Sequence, residues 1–174
     1  TNKINLDKQI IFKDPRIKQL GNYLICSEDH IKNLCSDKYF KFNKQDHYYE
    51  LLNNFGMVDE CLKKLKDKYF SLECNLKELN AISFDKGCYI GQENTARMNL
   101  KDKISRRLFK IETKDLLTLD ENIFYEKQIV GKVVSETPAF GIFKMEKFKN
   151  YADNILITSS DKKLKLIRQN WLNI

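Results

Sequence analysis

One short segment combines residue types that can do chemistry. In Lys86–Glu93, Cys88 lies two residues after Lys86 and about four residues before a predicted helix start at Gln92. A nearby ammonium and the positive end of a helix dipole both favour a thiolate over a thiol. An accessible thiolate can act as a nucleophile, a redox-sensitive group or a soft-metal ligand. The alternative is a buried cysteine in a glycine-bounded turn between a strand and a helix.

The residues around this cysteine suit a binding loop. Gly87 and Gly91 let the backbone approach a ligand closely and expose amide groups to an anion. Glu93 falls in the first turn of the predicted helix, where a carboxylate is favoured. Arg97 follows four residues later, at the spacing of a helical ion pair.

The elements before this loop form a mixed α+β region. Two short β-rich runs are joined by a turn-rich linker in which Pro15 disfavours helix at Asp14. Apolar residues then recur at helical spacing, and a glycine fits the stop of the first helix. The predicted elements are strands at QIIF and NYLICS, a helix from Asp46 to Phe55 stopped by Gly56, an amphipathic stretch at CLKKLKDKYF, and a short helical turn at NLKELNAI.

From Arg106 onward, short β-branched and aromatic runs are broken by Gly, Pro, Asn and Asp. They predict five or six strands at intervals of roughly a dozen residues, which is typical of a small antiparallel barrel or sandwich. We therefore predict an α+β protein with two domains, residues 1–100 and 101–174.

Composition excludes several classes of protein. The 174 residues are 42% hydrophobic and 32% charged, which is typical of a globular chain rather than a disordered one. No apolar stretch approaches the ~20 residues of a membrane span, and the N-terminus resembles neither a signal nor a transit peptide. Because the chain starts at Thr1 without Met, we expect a processed or truncated product.

The five cysteines have no zinc-finger spacing, so no metal site is predicted. An odd number of cysteines without a secretory signal favours free thiols in a reducing compartment. Cys26 and Cys61 are predicted to be small core residues.

The net charge is +7, and one local cluster of basic residues stands out. These side chains either bind phosphate groups or form a solvated face of the protein. This cluster comprises Lys101, Lys103, Arg106, Arg107 and Lys110.

The segment DKGCYIGQE resembles the signature of the YgfZ family, folate-binding proteins related to the T-protein of the glycine cleavage system. The same group includes a mitochondrial iron–sulfur assembly factor. Further elements occur in the family's order along nearly the whole chain. They are Asp14-Pro15-Arg16 with Leu20-Gly21, the segment 72–76, Arg97, the segment 104–108, and residues 130–133 with Gly141.

The resemblance implies a fold and a role. The fold would be a T-protein-like folate-binding domain over residues 1–100, incomplete at its N-terminus, followed by a small C-terminal antiparallel β-barrel. The role would be that of an accessory factor, rather than an enzyme, in making or repairing iron–sulfur clusters, with tetrahydrofolate bound. Its partners would be iron–sulfur assembly proteins and client enzymes, including tRNA-modifying ones, in the bacterial cytoplasm or the mitochondrial matrix.

Carried over residue by residue, the resemblance makes Cys88 the functional thiol. A cluster normally needs four thiolates, so Cys88 would hold one only transiently and with a partner. Arg16 and its neighbour Asp14 either form a structural turn or contact folate. The residues implied in cofactor binding are Lys86, Gly87, Tyr89, Gly91, Gln92, Glu93, Arg97, Asp14 and Arg16.

Two other functions stay open. One is a folate-dependent aminomethyl transferase, in which the cofactor carries the carbon and Glu93 or Asp85 positions the amine. The other is a tRNA-binding module, which is disfavoured by the modest basic cluster and the lack of aromatic-rich RNA-binding stretches.

Overall fold

A computed structural model describes residues 9–36, 41, 43–58, 61–101 and 104–174. The chain divides into two compact units, Thr1–Leu51 and Leu52–Ile174. The first unit holds a β-hairpin and helical segments. The second contains a closed barrel and the segment that carries Cys88. The predicted division at residue 100 stays a prediction.

The first unit begins with the two predicted strands. β1 (Ile10–Lys13) and β2 (Asn22–Ile25) pair as an antiparallel hairpin. The hairpin is followed by α1 (Glu28–Ser36), which was not predicted, and by α2 (Gln45–Asn54), which agrees with the predicted helix. Ser27 caps α1 by accepting a hydrogen bond from the backbone N–H of His30 at 3.3 Å.

The segment after α2 differs in part from its prediction. Gly56 does end the α2 region, with φ at +63°. The amphipathic stretch forms only a short helix, α3 (Cys61–Leu65), and Asp67 then adopts a positive φ. Turns without a helix follow across residues 71–80, since Asn75 and Asn80 also have positive φ. The helix after the cysteine loop, α4 (Gln92–Asn99), begins where it was predicted.

The six strands after residue 105 close into an antiparallel barrel in the order β3-β6-β5-β4-β7-β8, which confirms the barrel prediction. Its interior is filled by large apolar side chains, among them Phe109, Ile123, Phe143 and Leu156, all fully buried. The short helix α5 (Phe148–Tyr151) adds Tyr151 to this core. The strands are β3 (Arg106–Glu112), β4 (Asn122–Tyr125), β5 (Gln128–Glu136), β6 (Ala139–Lys144), β7 (Ile155–Thr158) and β8 (Lys163–Ile167).

Part of the segment before β3 packs on the outside of the barrel. Val58, Leu65 and Cys74 form a second apolar cluster with outward-facing side chains of β3, β5 and β6. The backbone N–H of Leu108 in β3 donates to the carbonyl oxygen of Glu73 at 2.9 Å. Within the second unit, the region leading to the cysteine loop is therefore fixed to the barrel.

The prediction for Cys26 was wrong, because its side chain is only half-buried and is not part of an apolar core. The side chain of Cys61 lies outside the described part of the structure. None of the described helices is long and apolar enough to cross a membrane.

Candidate functional site

Cys88 is solvent-exposed in the loop that enters α4. The turn between the cysteine and the helix is held by Gln92, whose Oε1 accepts a hydrogen bond from the backbone N–H of Tyr89 at 3.2 Å. Gly91 has φ at +85°, a conformation in which a side chain would be strained. Gly87 has an ordinary φ and open space around it, so nothing in the packing requires a glycine there.

The charged residues of the loop contact one another or a ring. Lys86 places its Nζ 4.8 Å from the centre of the Tyr89 ring, a cation–π distance. Arg97 donates to Glu93 Oε1 at 2.7 Å, which confirms the predicted helical pair. Both of these side chains are largely exposed, at 70% and 82%, so the pair contributes little stability.

A groove with a volume of about 570 Å³ lies beside the loop. Its lining includes the aromatic side chains of Tyr69, Phe70 and Tyr89, together with buried Cys74. The hydroxyl oxygen of Tyr89 is buried and has no hydrogen-bond partner among the described residues. An unpaired buried hydroxyl is costly, so Tyr89 carries a polar group that no described residue satisfies.

Cys74 and Cys88 have opposite surroundings. Burial, with a smaller contribution from the Glu73 carboxylate, raises the pKa of the Cys74 thiol to about 11. That thiol therefore stays protonated near neutral pH. Cys88 is the exposed thiol of the pair.

Three of the five basic residues in the cluster form hydrogen bonds with other groups of the same chain. Arg106 donates through Nε to Glu73 Oε1 at 2.8 Å, and Arg107 donates to Glu78 Oε1 at 2.7 Å. The Nζ of Lys110 donates to a backbone carbonyl oxygen at 2.8 Å. These three side chains thus stabilise the folded structure. Lys101, by contrast, is exposed. Lys103 lies outside the described residues.

Asp14 and Arg16 form an internal ion pair in the first unit. The Asp14 carboxylate accepts the backbone N–H, the Nε–H and an Nη2–H of Arg16 at 2.7 to 3.0 Å. Arg16 also donates to the hydroxyl oxygens of Tyr23 and Tyr48. The bond to Arg16 lowers the pKa of Asp14, and the bond to Tyr48 together with burial raises the pKa of Tyr23 to about 12. The contact of Asp14 and Arg16 with folate stays a prediction.

Among the described residues, no three His, Cys, Asp or Glu side chains come together as a metal site. The groove was not predicted from the sequence. Its aromatic residues Tyr69 and Phe70 are about twenty residues from Tyr89. No local pattern links the two segments, and only the aromatic content of the Tyr69 region could have drawn attention to it.

Comparison with known proteins confirms the resemblance to the YgfZ family that the motifs indicated. No family model matches the chain. The chain is 54% identical over 103 residues to a mouse protein named "Iron-sulfur cluster assembly factor IBA57, mitochondrial". The aligned region covers 59% of the chain and 28% of that protein. It is 42% identical over 55 residues to the "tRNA-modifying protein YgfZ" of Colwellia psychrerythraea, covering 32% of the chain and 17% of that protein.

A Dictyostelium discoideum protein named as an IBA57 homolog is 26% identical over 111 residues, covering 63% of the chain and 27% of that protein. The chain therefore spans less than a third of the length of each of these three relatives.

Proposed function

We propose that this chain, which is related in sequence to the IBA57 and YgfZ proteins, is an accessory factor in iron–sulfur cluster assembly or repair and thereby supports tRNA modification. The names of the relatives support this general role. The observation that carries the finer proposal is the exposed position of Cys88, which follows a glycine that packing does not require.

Cys88 would act as a thiolate that accepts iron, sulfur or a cluster and passes it on. The cluster is cargo in this proposal, and this chain does not hold it alone. Clusters are normally bound by four thiolates, and the described residues bring no such group together. The remaining ligands must therefore come from a partner or from a second copy of the chain. An exposed loop suits this task because a partner's ligands can reach the same metal ion.

We propose tetrahydrofolate as the bound small molecule. The groove beside the loop falls within the size range of small-molecule sites, and its lining has aromatic faces for a planar ring. The free hydroxyl of Tyr89 would donate to, or accept from, the ring's polar edge, and Lys86 would offer a positive charge to an acidic tail. When bound, tetrahydrofolate supplies a carrier for one-carbon units.

The test is cluster acceptance by the purified chain from a cluster-loaded scaffold protein under anaerobic conditions, at a concentration at which a second copy can supply the remaining ligands, followed by visible absorption and iron content after separation. We expect the wild-type chain and Cys35→Ser to take up iron equally, and Cys88→Ser to take up none. Uptake by Cys88→Ser at the wild-type level would overturn the role of this thiol. Transfer of a one-carbon unit to tetrahydrofolate that is lost in the double variant Asp85→Asn/Glu93→Gln and retained in Cys88→Ser would instead favour the aminomethyl transferase.

Folate binding is tested separately by calorimetric titration of the chain with tetrahydrofolate. Tyr89→Phe removes the unpaired hydroxyl and keeps the ring, so it should weaken binding about tenfold if that hydroxyl bonds the ligand. Tyr49→Phe, a tyrosine outside the groove, is the matched control. Absence of binding by the wild-type chain would remove folate from the proposal and leave the thiol's role untouched.

A further inference from the structure

Eight non-glycine residues in the described part of the chain have a left-handed backbone, with φ between +45° and +66°. Five of the eight are Asp or Asn, whose short polar side chains tolerate this conformation. Longer side chains adopt it only at a cost in backbone strain, so that glycine or asparagine is favoured at such positions. The three exceptions are Glu126, Lys127 and Lys147.

All three exceptions line one groove at one end of the barrel, which we call the hairpin groove. Glu126 and Lys127 are the central residues of the turn between β4 and β5, and a turn with positive φ at both positions favours Asn-Gly. Lys147 directly precedes α5. Strained residues cluster at functional sites, where a side chain is retained for what it contacts. We therefore looked for the ligand that the lining of this groove fits.

The hairpin groove has a volume of about 710 Å³, which is within the range of small-molecule sites. The half-buried ring of Tyr125 lines it, and the centre of this ring lies 6.4 Å from that of the buried Tyr151 ring. The hydroxyl of Tyr151 donates to the backbone carbonyl oxygen of Lys144, which joins α5 to the end of β6. The walls of the groove are thus attached to the barrel core and give a ligand a rigid aromatic face.

The charged groups of the lining have both signs. Lys144 joins Lys127 and Lys147, and none of these three exposed ammonium groups forms an ion pair with a described residue. The carboxylates of Glu126 and Glu146 also line the groove. Three positive charges against two negative ones leave a net charge of +1, so charge alone does not select a ligand.

A ligand that satisfies the whole lining has three parts. It carries an anionic group for the lysines and N–H donors for the carboxylates, which only accept hydrogen bonds. It also carries a planar ring that stacks on Tyr125. A nucleotide has all three parts, and guanine offers the carboxylates two adjacent donors, its N1–H and its amino group, whereas adenine offers only an amino group.

We propose that the hairpin groove binds a nucleoside monophosphate, with guanine as the favoured base. The three lysines hold the phosphate, Tyr125 stacks on the base, and a carboxylate of Glu126 or Glu146 accepts the donors of its edge. This site is separate from the cysteine loop, and the proposal does not depend on the role of Cys88.

The test is calorimetric titration of the full chain with guanosine monophosphate, beside adenosine monophosphate, guanosine and inorganic phosphate. We expect guanosine monophosphate to bind at least tenfold more tightly than each of the other three, and its affinity to fall as salt is raised. A short single-stranded RNA that starts with a 5′-phosphorylated guanosine identifies the source of the ligand. Tighter binding of the RNA than of the mononucleotide would support an RNA end, and weaker binding a free nucleotide.

A variant that relieves the strain separates binding from folding. Glu126→Asn/Lys127→Gly gives the turn its favoured pair, so the melting temperature should rise while binding of guanosine monophosphate weakens at least tenfold. Lys147→Asn should change both quantities in the same directions by smaller amounts. The matched control is Asp161→Gly, which relieves the same conformation outside the groove and should bind guanosine monophosphate like wild type.

Three results would overturn the proposal. The first is no binding of guanosine monophosphate by the wild-type chain. The second is wild-type binding by Glu126→Asn/Lys127→Gly, which would show that the charged side chains of the turn contact no ligand. The third is binding of inorganic phosphate or adenosine monophosphate as tight as that of guanosine monophosphate, which would remove the base from the site.

Discussion

Two cysteine-bearing segments lie fourteen residues apart and are built in opposite ways. In residues 72–76, four of the five side chains are buried, and the polar ones bond to the barrel. In residues 86–93, Cys88 is exposed and Ile90 is fully exposed, and no side chain is buried. Both segments match motifs of the same family, yet packing explains only the first. In the second segment, the φ of Gly91 and the hydrogen bond from Tyr89 to Gln92 account for two residue types, whereas Cys88 has no packing role.

The largest loss of stability is expected when the buried carboxylate of the first segment is removed. Glu73 is 1% exposed and accepts hydrogen bonds from Arg106 and from the backbone N–H of Phe70. Glu73→Ala would leave both donors unpaired, and we expect it to lower the free energy of unfolding by about 3 kcal/mol. The value is at the low end for a buried pair because Arg106 is 43% exposed and can be solvated. Urea denaturation of the variant measures this loss.

The matched control for that variant is Glu93→Ala in the second segment. It also removes a glutamate paired with an arginine, but both partners are exposed. We expect a change below ~0.5 kcal/mol. Equal losses for the two variants would contradict the contrast between the segments.

A smaller effect is expected at Asn75. Its Nδ2 donates to the carbonyl oxygen of Leu108 at 2.7 Å, and its Oδ1 accepts from Arg107 at 3.0 Å. Its φ of +60° suits asparagine better than alanine. Asn75→Ala should therefore cost about 2 kcal/mol in urea denaturation, whereas Asn94→Ala on exposed α4 should cost nothing measurable. A loss of unfolding free energy in Asn94→Ala as large as that in Asn75→Ala would contradict the contrast between the two segments.

The buried thiol of Cys74 should make the folding stability depend on pH in the alkaline range. The pKa of Cys74 is about 11 in the folded chain and about 8.5 when unfolded. The folded state therefore holds the thiol proton more tightly than the unfolded state does. The contribution of this proton to folding stability is complete below the unfolded-state pKa of about 8.5 and is lost as the pH rises toward 11. The size of this loss is about 3 kcal/mol. Cys74→Ala should flatten the fall of stability between these pH values relative to wild type, and an unchanged slope would contradict burial of the thiol.

The smallest structural effect is expected from modifying the exposed thiol. Iodoacetamide should alkylate Cys88 in the folded chain more than about tenfold faster than Cys74, because alkylation requires an accessible thiolate. Peptide mass spectrometry over time measures both rates in one sample. The modified chain should keep its melting temperature. Comparable rates at the two cysteines would show that the first segment opens readily.

Local patterns predicted the elements whose signals lie in adjacent residues. The strands of the barrel, the stop at Gly56 and the start of α4 at Gln92 all follow from short-range pattern and turn chemistry. The predicted helical turn near Asn75 is present as a single turn, in which the backbone N–H of Leu79 donates to the carbonyl oxygen of Asn75 at 3.2 Å. The positive φ of Asn75 was not predictable, because its side chain bonds to β3, thirty-three residues away. Arg106 likewise seemed available to phosphates, since its pairing with Glu73 is set by tertiary packing. The position of the candidate cysteine was predictable, but the groove beside it was not.

The most direct test of the contrast is a paired measurement on Cys88→Ser. Its free energy of unfolding and its cluster acceptance are measured on the same preparation, beside wild type and Cys74→Ser. We predict that Cys88→Ser keeps wild-type stability within ~0.5 kcal/mol and loses cluster acceptance, while Cys74→Ser loses stability. A Cys88→Ser chain that is as active as wild type, or one that loses stability and activity together, would contradict the claim that the loop serves function and not the fold.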